Sequence, residues 1–361
     1  MPTSPMKNLA YRAALPLLAP RWHGEHTAQG VRDLQGYQRL LRRHRVMGAS
    51  LLLADGDRQA SVFSGCGPET IFRVASITKM ATALVILKLC DEGLLALDQP
   101  VEEVLPEGHT ALRDVTLRHL LSHTSGLRDA GEDVLRRGGT YLEALRSGGQ
   151  PGEAMVYCNL GFGLLGCVME FVTGQSLETV FQEKLFVPLG MRATLSGAAL
   201  DEALVMPIHR VLPYRREPVT VTELGRRPIA QPDPLRHFGH TAGAMYTDAA
   251  SLSRLLGAVW PGGFLSEKMI REMRARQAAT PERVYGLGLV LLSRPELSPQ
   301  RLLGHQGFAY GCVDGAFIEE GSGRQVIFLN GGASEARTGR LGLVNRDILR
   351  WALNEEMPSW T

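Results

Sequence analysis

Net charge of either sign is almost missing from this chain. Lys and Arg total 39 and Asp and Glu 37, a formal net charge of +2 over 361 residues, so no overall field draws it to nucleic acid or to an anionic membrane. Arginine runs such as Arg42-Arg43-His44-Arg45 and Arg215-Arg216 have no stacking aromatics between them and read as solvated faces. Cysteine is sparse: the 5 residues Cys66, Cys90, Cys158, Cys167 and Cys312 are scattered and odd in number, with no CxxC pair. Neither a zinc knuckle nor a disulfide framework is indicated. Cys90, Cys158 and Cys167 lie in apolar text, where a free thiol behaves as a small buried hydrophobe and fits a reducing compartment. No run approaches the ~20 apolar residues of a membrane helix. The start, MPTSPMKNLAYRAALPLLAP, is a poor export signal because Arg12 and Pro16 break its apolar stretches. The expectation is a soluble, cytoplasmic protein without a membrane span or a nucleic-acid partner, its oligomeric state open.

What is present is an ordinary globular composition, 44% hydrophobic and 21% charged, long enough to bury a sizeable core. Near the front, Met47–Ala54 and Arg58–Gly65 flank Asp55-Gly56-Asp57, a strong hairpin signal. Later, Tyr285–Leu292, Gly311–Ile318 and Arg324–Asn330 read as strands, with Glu319–Gly323 as a turn, and Gly342–Asn354 has helical spacing. Between about residues 95 and 275 helical segments dominate: Leu112–Leu121, Thr140–Leu145, Gly161–Val172, Leu177–Leu185 and Ala249–Val259. The expected fold is α/β of the α+β kind. Residues 1–92 and 281–361 build an antiparallel sheet covered by N- and C-terminal helices, residues 93–280 form a mostly helical insert, and the active-site cleft lies between the two parts.

One segment raises a chemical question. In FRVASITKMATALVILKLC (Phe72–Cys90), Ser76 and Lys79 stand three apart at the front edge of an apolar helix. That spacing places both on one face, so the amine can reach the hydroxyl, and the helix N-terminus adds a positive field. A serine needs such a base to become a nucleophile. A capping serine and a snorkelling lysine give the same tetrapeptide, so Ser-x-x-Lys alone decides nothing.

Two further segments decide it. Tyr157-Cys158-Asn159 precedes a helical pattern, and His305-Gln306-Gly307 precedes Phe308-Ala309-Tyr310-Gly311 and a strand. In order and spacing, Ser-x-x-Lys, Tyr-x-Asn and His-x-Gly resemble the serine β-lactamase/penicillin-binding-protein superfamily. The likeness is to the branch with class C β-lactamases, D-alanyl-D-alanine carboxypeptidases and esterases. VTLRHLLSHTSGL, HTAGAMYTDAASLSRLL and YGLGL also look like its signature segments, and the resemblance spans roughly residues 45–330.

The resemblance implies a β-lactamase/transpeptidase-like fold and a hydrolase that uses no cofactor or metal. Its substrate would be a small molecule or short peptide carrying an ester or amide: a small ester, a D-amino peptide or a β-lactam. Ser76 would form an acyl-enzyme, with Lys79 and Tyr157 sharing the base role. Asn159 would orient Lys79 and bind a substrate amide. The backbone N–H groups of Ser76 and Phe308 would form the oxyanion hole, Gly307 letting the strand pass close. A tyrosine serves as base only if cations lower its pKa from about 10; Lys79 and a protonated His305 are the candidates. Two departures stand out. His305 replaces the lysine of lactamases, which weakens a grip on a substrate carboxylate and leans toward esters, amides or D-amino peptides. Phe308 and Tyr310 imply an apolar wall. Acyl transfer to another acceptor, or a non-catalytic ligand-binding or scaffold role, are the rival readings.

Other signals carry less. Gly161-Phe-Gly-Leu-Leu-Gly166 satisfies G-x-G-x-x-G but follows no strand, and reads as helix packing. His119 and His123 lack the Glu of a zinc helix and read as structural.

Overall fold

The computed structural model describes residues 5–105, 112–129, 149–217, 229–233 and 239–353. The hairpin signal near the front is realised directly. Strand β1 (His26–Gln29) lies beside the pair β2 (Ala49–Asp55) and β3 (Arg58–Ser64), whose turn places Asp55 opposite Arg58 with Gly56 at φ +56°. The C-terminal half supplies β9 (Ala278–Thr280), β10 (Arg283–Tyr285), β11 (Val290–Leu292), β12 (Leu302–Ala309), β13 (Cys312–Glu319) and β14 (Gln325–Asn330). Together these make one antiparallel nine-stranded sheet in the order β1-β3-β2-β14-β13-β12-β11-β10-β9. Shorter pairings lie off it: β4 (Phe72–Arg73), β5 (Ala193–Thr194) and β8 (Tyr246–Thr247) in one, β6 (His209–Val211) with β7 (Tyr214–Arg216), and β15 (Arg337–Thr338) with β16 (Leu341–Gly342).

The sheet is buried on both faces, which explains why its central strands read as nearly continuous apolar runs. Alternation sends Leu51 and Leu53 to one side and Leu52 to the other. On the first side pack helix α2 (Leu34–Arg43) and the C-terminal helix, with Tyr37, Leu41, Ile348 and Leu349. On the second packs α3 (Thr78–Asp91), apolar all round and buried on nearly every face. The helical part lies against α3: α4 (Leu117–Leu121), α5 (Asn159–Thr173), α6 (Leu177–Phe181), α7 (His240–Gly243), α8 (Ala249–Ala258) and α9 (Glu267–Arg274). The chain ends of the described structure are α1 (Pro5–Leu18) and α10 (Leu343–Ala352).

Several expectations are corrected. The segment Tyr285–Leu292 is not one strand but the hairpin β10–β11, closed by Gly286 N–H donating to Leu289 O at 2.9 Å. Its tip presses on α3. A Cβ on Gly288, which has φ +67°, would lie 2.4 Å from Ala83 Cβ and 2.9 Å from Lys79 O. Leu112–Leu121 is regular helix only from Leu117, because Asp114 turns at φ +61° and Thr116 starts the helix afresh as its cap. Leu177–Leu185 widens after Phe181 into a π turn, Gln182–Phe186. β9 adds Ala278–Thr280 to the sheet from within the stretch expected to be helical. Of the basic run at 42–45, His44 and Arg45 are buried; His44 Nε2 meets Asp347 Oδ2 at 2.8 Å and Arg45 donates to Pro16 O at 2.7 Å. The helix expected at Thr140–Leu145 lies outside the described residues.

Candidate active site

Ser76 sits in a single 3-10 turn, Ala75–Ile77, that leads into α3. Ala75 takes φ +47°, a left-handed conformation unusual for a residue with a Cβ. Thr78 locks the turn: its hydroxyl donates to Ala75 O at 2.6 Å and accepts from Met245 N–H at 3.1 Å. One turn on, Lys79 is wholly buried. Its three donors are each directed: to Ser76 Oγ at 3.3 Å, Asn159 Oδ1 at 2.9 Å and Ala242 O at 2.6 Å.

Tyr157 enters from the segment before α5, and its hydroxyl donates to Ser76 Oγ at 2.9 Å. The Tyr157 ring packs on His123, with centroids 4.3 Å apart. Cys158 N–H donates to His123 Nδ1 at 3.2 Å, which places the imidazole proton on Nε2. Burial first, then the charge of Lys79, push this imidazole well below its ordinary range, so it is a neutral wall behind the phenol. Asn159 is fixed by a residue that sequence reading missed. Asp129 accepts from Asn159 N–H at 2.6 Å, from its Nδ2 at 2.8 Å and from Leu160 N–H at 3.0 Å. A carboxylate at the N-terminus of α5 is favoured by the unpaired amides there. No spacing rule marked Asp129, because it lies 30 residues before the asparagine it holds.

The third motif is carried by β12. This strand pairs with β11 only through Gly304, so from His305 onward its outer edge faces the serine turn. Gly307 fits because a Cβ there would lie 2.4 Å from Val74 O and 3.3 Å from Ala75 Cβ. Phe308 follows at the cleft wall. His305 departs from expectation. It is buried, its Nδ1–H donates to Gln306 O at 2.7 Å, and its Nε2 accepts from Tyr285 OH at 2.5 Å. Burial, then Lys79 and Arg283, drive its pKa well below the histidine range. A protonated His305 acting as the cation beside Tyr157, or gripping a carboxylate, does not fit this environment.

Positive charge comes instead from arginine. A cleft of ≈ 790 Å³ opens over Ser76, Tyr157 and Asn159, and its described lining includes Arg73, Arg210, Arg283, Arg337 and Arg340 with no Asp or Glu. The wall expected to be apolar is therefore capped by cations: Arg337 lies 3.8 Å from the Phe308 ring centroid and Arg73 5.0 Å from that of Tyr310. A larger cavity of ≈ 1010 Å³, between α1, α2 and α10, holds none of these motif residues. Among the described residues no group of three His, Cys, Asp or Glu side chains is placed to hold a metal, and no single helix is long and apolar enough to cross a membrane.

Comparison with known proteins agrees with this arrangement. The family model described as Beta-lactamase matches residues 30–339. Esterase EstB of Burkholderia gladioli is 30% identical over 374 residues, covering 87% of this chain and 93% of its own. Penicillin-binding protein 4 of Amycolatopsis lactamdurans is 34% identical over 176 residues, a match spanning only 42% of this chain and 45% of that relative. Among solved structures, a D-stereospecific amidohydrolase from Streptomyces sp. superposes with a TM-score of 0.70 at 26% identity, over 90% of this chain and 100% of that one. The chain belongs to the β-lactamase family of serine hydrolases.

Proposed function

We propose that this protein hydrolyses a small ester or amide through an acyl-Ser76 intermediate. The observation that carries this reading is the position of Ser76 Oγ, 2.9 Å from the Tyr157 hydroxyl and 3.3 Å from Lys79 Nζ. Ser76 Oγ attacks the carbonyl carbon while its proton passes to the Tyr157–Lys79 pair. The backbone N–H groups of Ser76 and Phe308 receive the negative oxygen. As the tetrahedral adduct collapses, Tyr157 returns the proton to the leaving group. A water then attacks the acyl ester, losing its proton to the same pair, and Ser76 is released.

Supporting roles follow from contacts. Asn159 and Ala242 O hold Lys79, Asp129 holds Asn159, and Gly307 keeps the strand edge against the serine turn. His305 acts as a neutral brace for Tyr285, whose ring lies 6.4 Å from that of Tyr157. The arrangement also supports two units, 1–92 with 281–361 and 93–280, meeting at this cleft. The five cysteines are free, which suits a reducing cytoplasm. A p-nitrophenyl ester tests the reading: wild type releases a burst of about one nitrophenolate per active site. Tyr157→Phe lowers kcat/KM by roughly 10²–10⁴-fold, the range for loss of general acid–base catalysis. A Tyr157→Phe enzyme as fast as wild type would remove the phenol from the mechanism.

A further inference from the structure

We infer that the cavity between α1, α2 and α10 binds a small molecule carrying two or more phosphoryl groups, held by Arg12, Arg21, Arg42 and Arg45. Among the described residues this cavity and the serine cleft share no lining residue. Charges nearly cancel over the chain, to +2, so a local excess belongs to this place and not to the composition. The cavity of ≈ 1010 Å³ is lined by arginines from all three helices and the segments after α1 and α2, and Asp347 is its only carboxylate among the described residues. Asp347 is already engaged, by His44 at 2.8 Å, Arg346 at 2.6 Å and Arg43 at 3.7 Å. Arg39 leans to Asp33, outside the cavity, at 3.9 Å. Arg12, Arg21 and Arg42 are exposed, and among the described residues their side chains make neither a hydrogen bond nor an ion pair.

Arg45 adds a second, independent observation. It follows α2 at φ +55°, a left-handed conformation that residues with a Cβ rarely adopt. It is 7% exposed, and its side chain donates to Pro16 O at 2.7 Å. Among the described residues no carboxylate meets it, although a guanidinium is seldom buried without an acid. Burial, then the charge of Arg21, lower its pKa. A strained backbone and a buried cation without a counter-charge, in one residue, mark a place kept for an anion. Several such cations around one cavity call for several negative charges on one molecule. A phosphoryl group brings about two charges and three acceptor oxygens, and it matches the planar fork of a guanidinium. Leu17 and Leu18, beside the cavity, are 83% and 68% exposed, so a phospholipid headgroup would offer the same chemistry from another source. Leu15 and Trp22 wall the cavity, which suits entry of a free molecule.

The test is isothermal titration calorimetry of the full chain with inorganic tripolyphosphate and with citrate, and co-sedimentation with phosphatidylglycerol or phosphatidylcholine vesicles. Tripolyphosphate is expected to bind at one per chain at low salt and more weakly as salt rises. Citrate binds at least roughly tenfold more weakly. Arg21→Gln and Arg42→Gln each weaken tripolyphosphate by roughly tenfold, as expected for loss of a hydrogen bond to a charged group. The double variant Arg215→Gln/Arg216→Gln, in the basic run on β7 outside the cavity, binds as wild type does. Arg45→Gln abolishes binding; if it fails to fold, the two exposed variants carry the test. Fluorophosphonate labelling of Ser76 is the same in every folded variant, which shows that the serine cleft is undisturbed. Absence of tripolyphosphate binding to wild type overturns the site. Binding that survives in Arg21→Gln/Arg42→Gln, or that falls equally in the β7 variant, overturns its location. Citrate as tight as tripolyphosphate overturns the phosphoryl class, and binding confined to phosphatidylglycerol vesicles overturns the free ligand.

Discussion

Imidazole at position 305 is held in one protonation state from both sides: a backbone carbonyl takes its Nδ1 proton and the Tyr285 hydroxyl occupies Nε2. Lys79 and Arg283 face it as well, so protonation would add a third cation to a buried space. The folded pKa is thus depressed below the usual value of about 6.5. Below that pH the unfolded chain binds a proton that the folded one refuses, and stability falls as pH falls. Expected in an NMR titration is a His305 ring whose carbon shifts stay flat from pH 8 to 5.5; a midpoint near 6.5 would contradict it. At this scale the sequence was only partly legible. Ser76, Lys79, Tyr157 and Asn159 sit in motifs whose order reveals them, and they converge in space. The state of His305 depends on Tyr285, 20 residues away, and Asp129 and the cleft arginines carry no motif. Contacts of that kind form only when the chain closes.

Elements were easier to read where local chemistry sets them. Asp55-Gly56 marks a hairpin on its own, and the apolar run after Lys79 is a helix in any buried setting. The Gly286-Leu287-Gly288 turn was missed because alternating apolar residues read through it as a strand. Its split is dictated by α3, against which Gly288 fits without a Cβ. The same kind of fit governs β12. In Gly307→Ala the new methyl meets Val74 O, so strand and serine turn separate by a few tenths of an ångström or more. The cost is about 1–3 kcal/mol of stability. Ester turnover is expected to fall by more than tenfold in a folded protein, since misplacing reacting groups is costly. Unchanged turnover would show that this edge does not border the reacting atoms.

Over the whole molecule, strands from both ends of the chain build the same nine-stranded sheet, and α2 and α10 pack on one face of it. The ends are joined by a polar contact between the end of α2 and α10, His44 Nε2 to Asp347 Oδ2 at 2.8 Å. Burial works to raise the Asp347 pKa, but His44 and Arg346 overcome it and hold it down to about 2. The folded carboxyl therefore contributes stability above its unfolded value near 3.9, lost as pH falls toward 2. Wild type is expected to lose roughly 1 kcal/mol from this group across that window, allowing for solvent screening. Asp347→Asn is less stable at pH 7 and flatter below pH 4 in urea titrations; parallel curves would assign the acid sensitivity elsewhere.

The convergence of three distant segments on one hydroxyl is tested most directly by intact-mass spectrometry after treatment with a fluorophosphonate. Expected is one adduct per wild-type chain, located on Ser76 by peptide mapping, and none on folded Ser76→Ala. An adduct that persists in Ser76→Ala, or a wild-type chain that takes none, would contradict a nucleophile at this position.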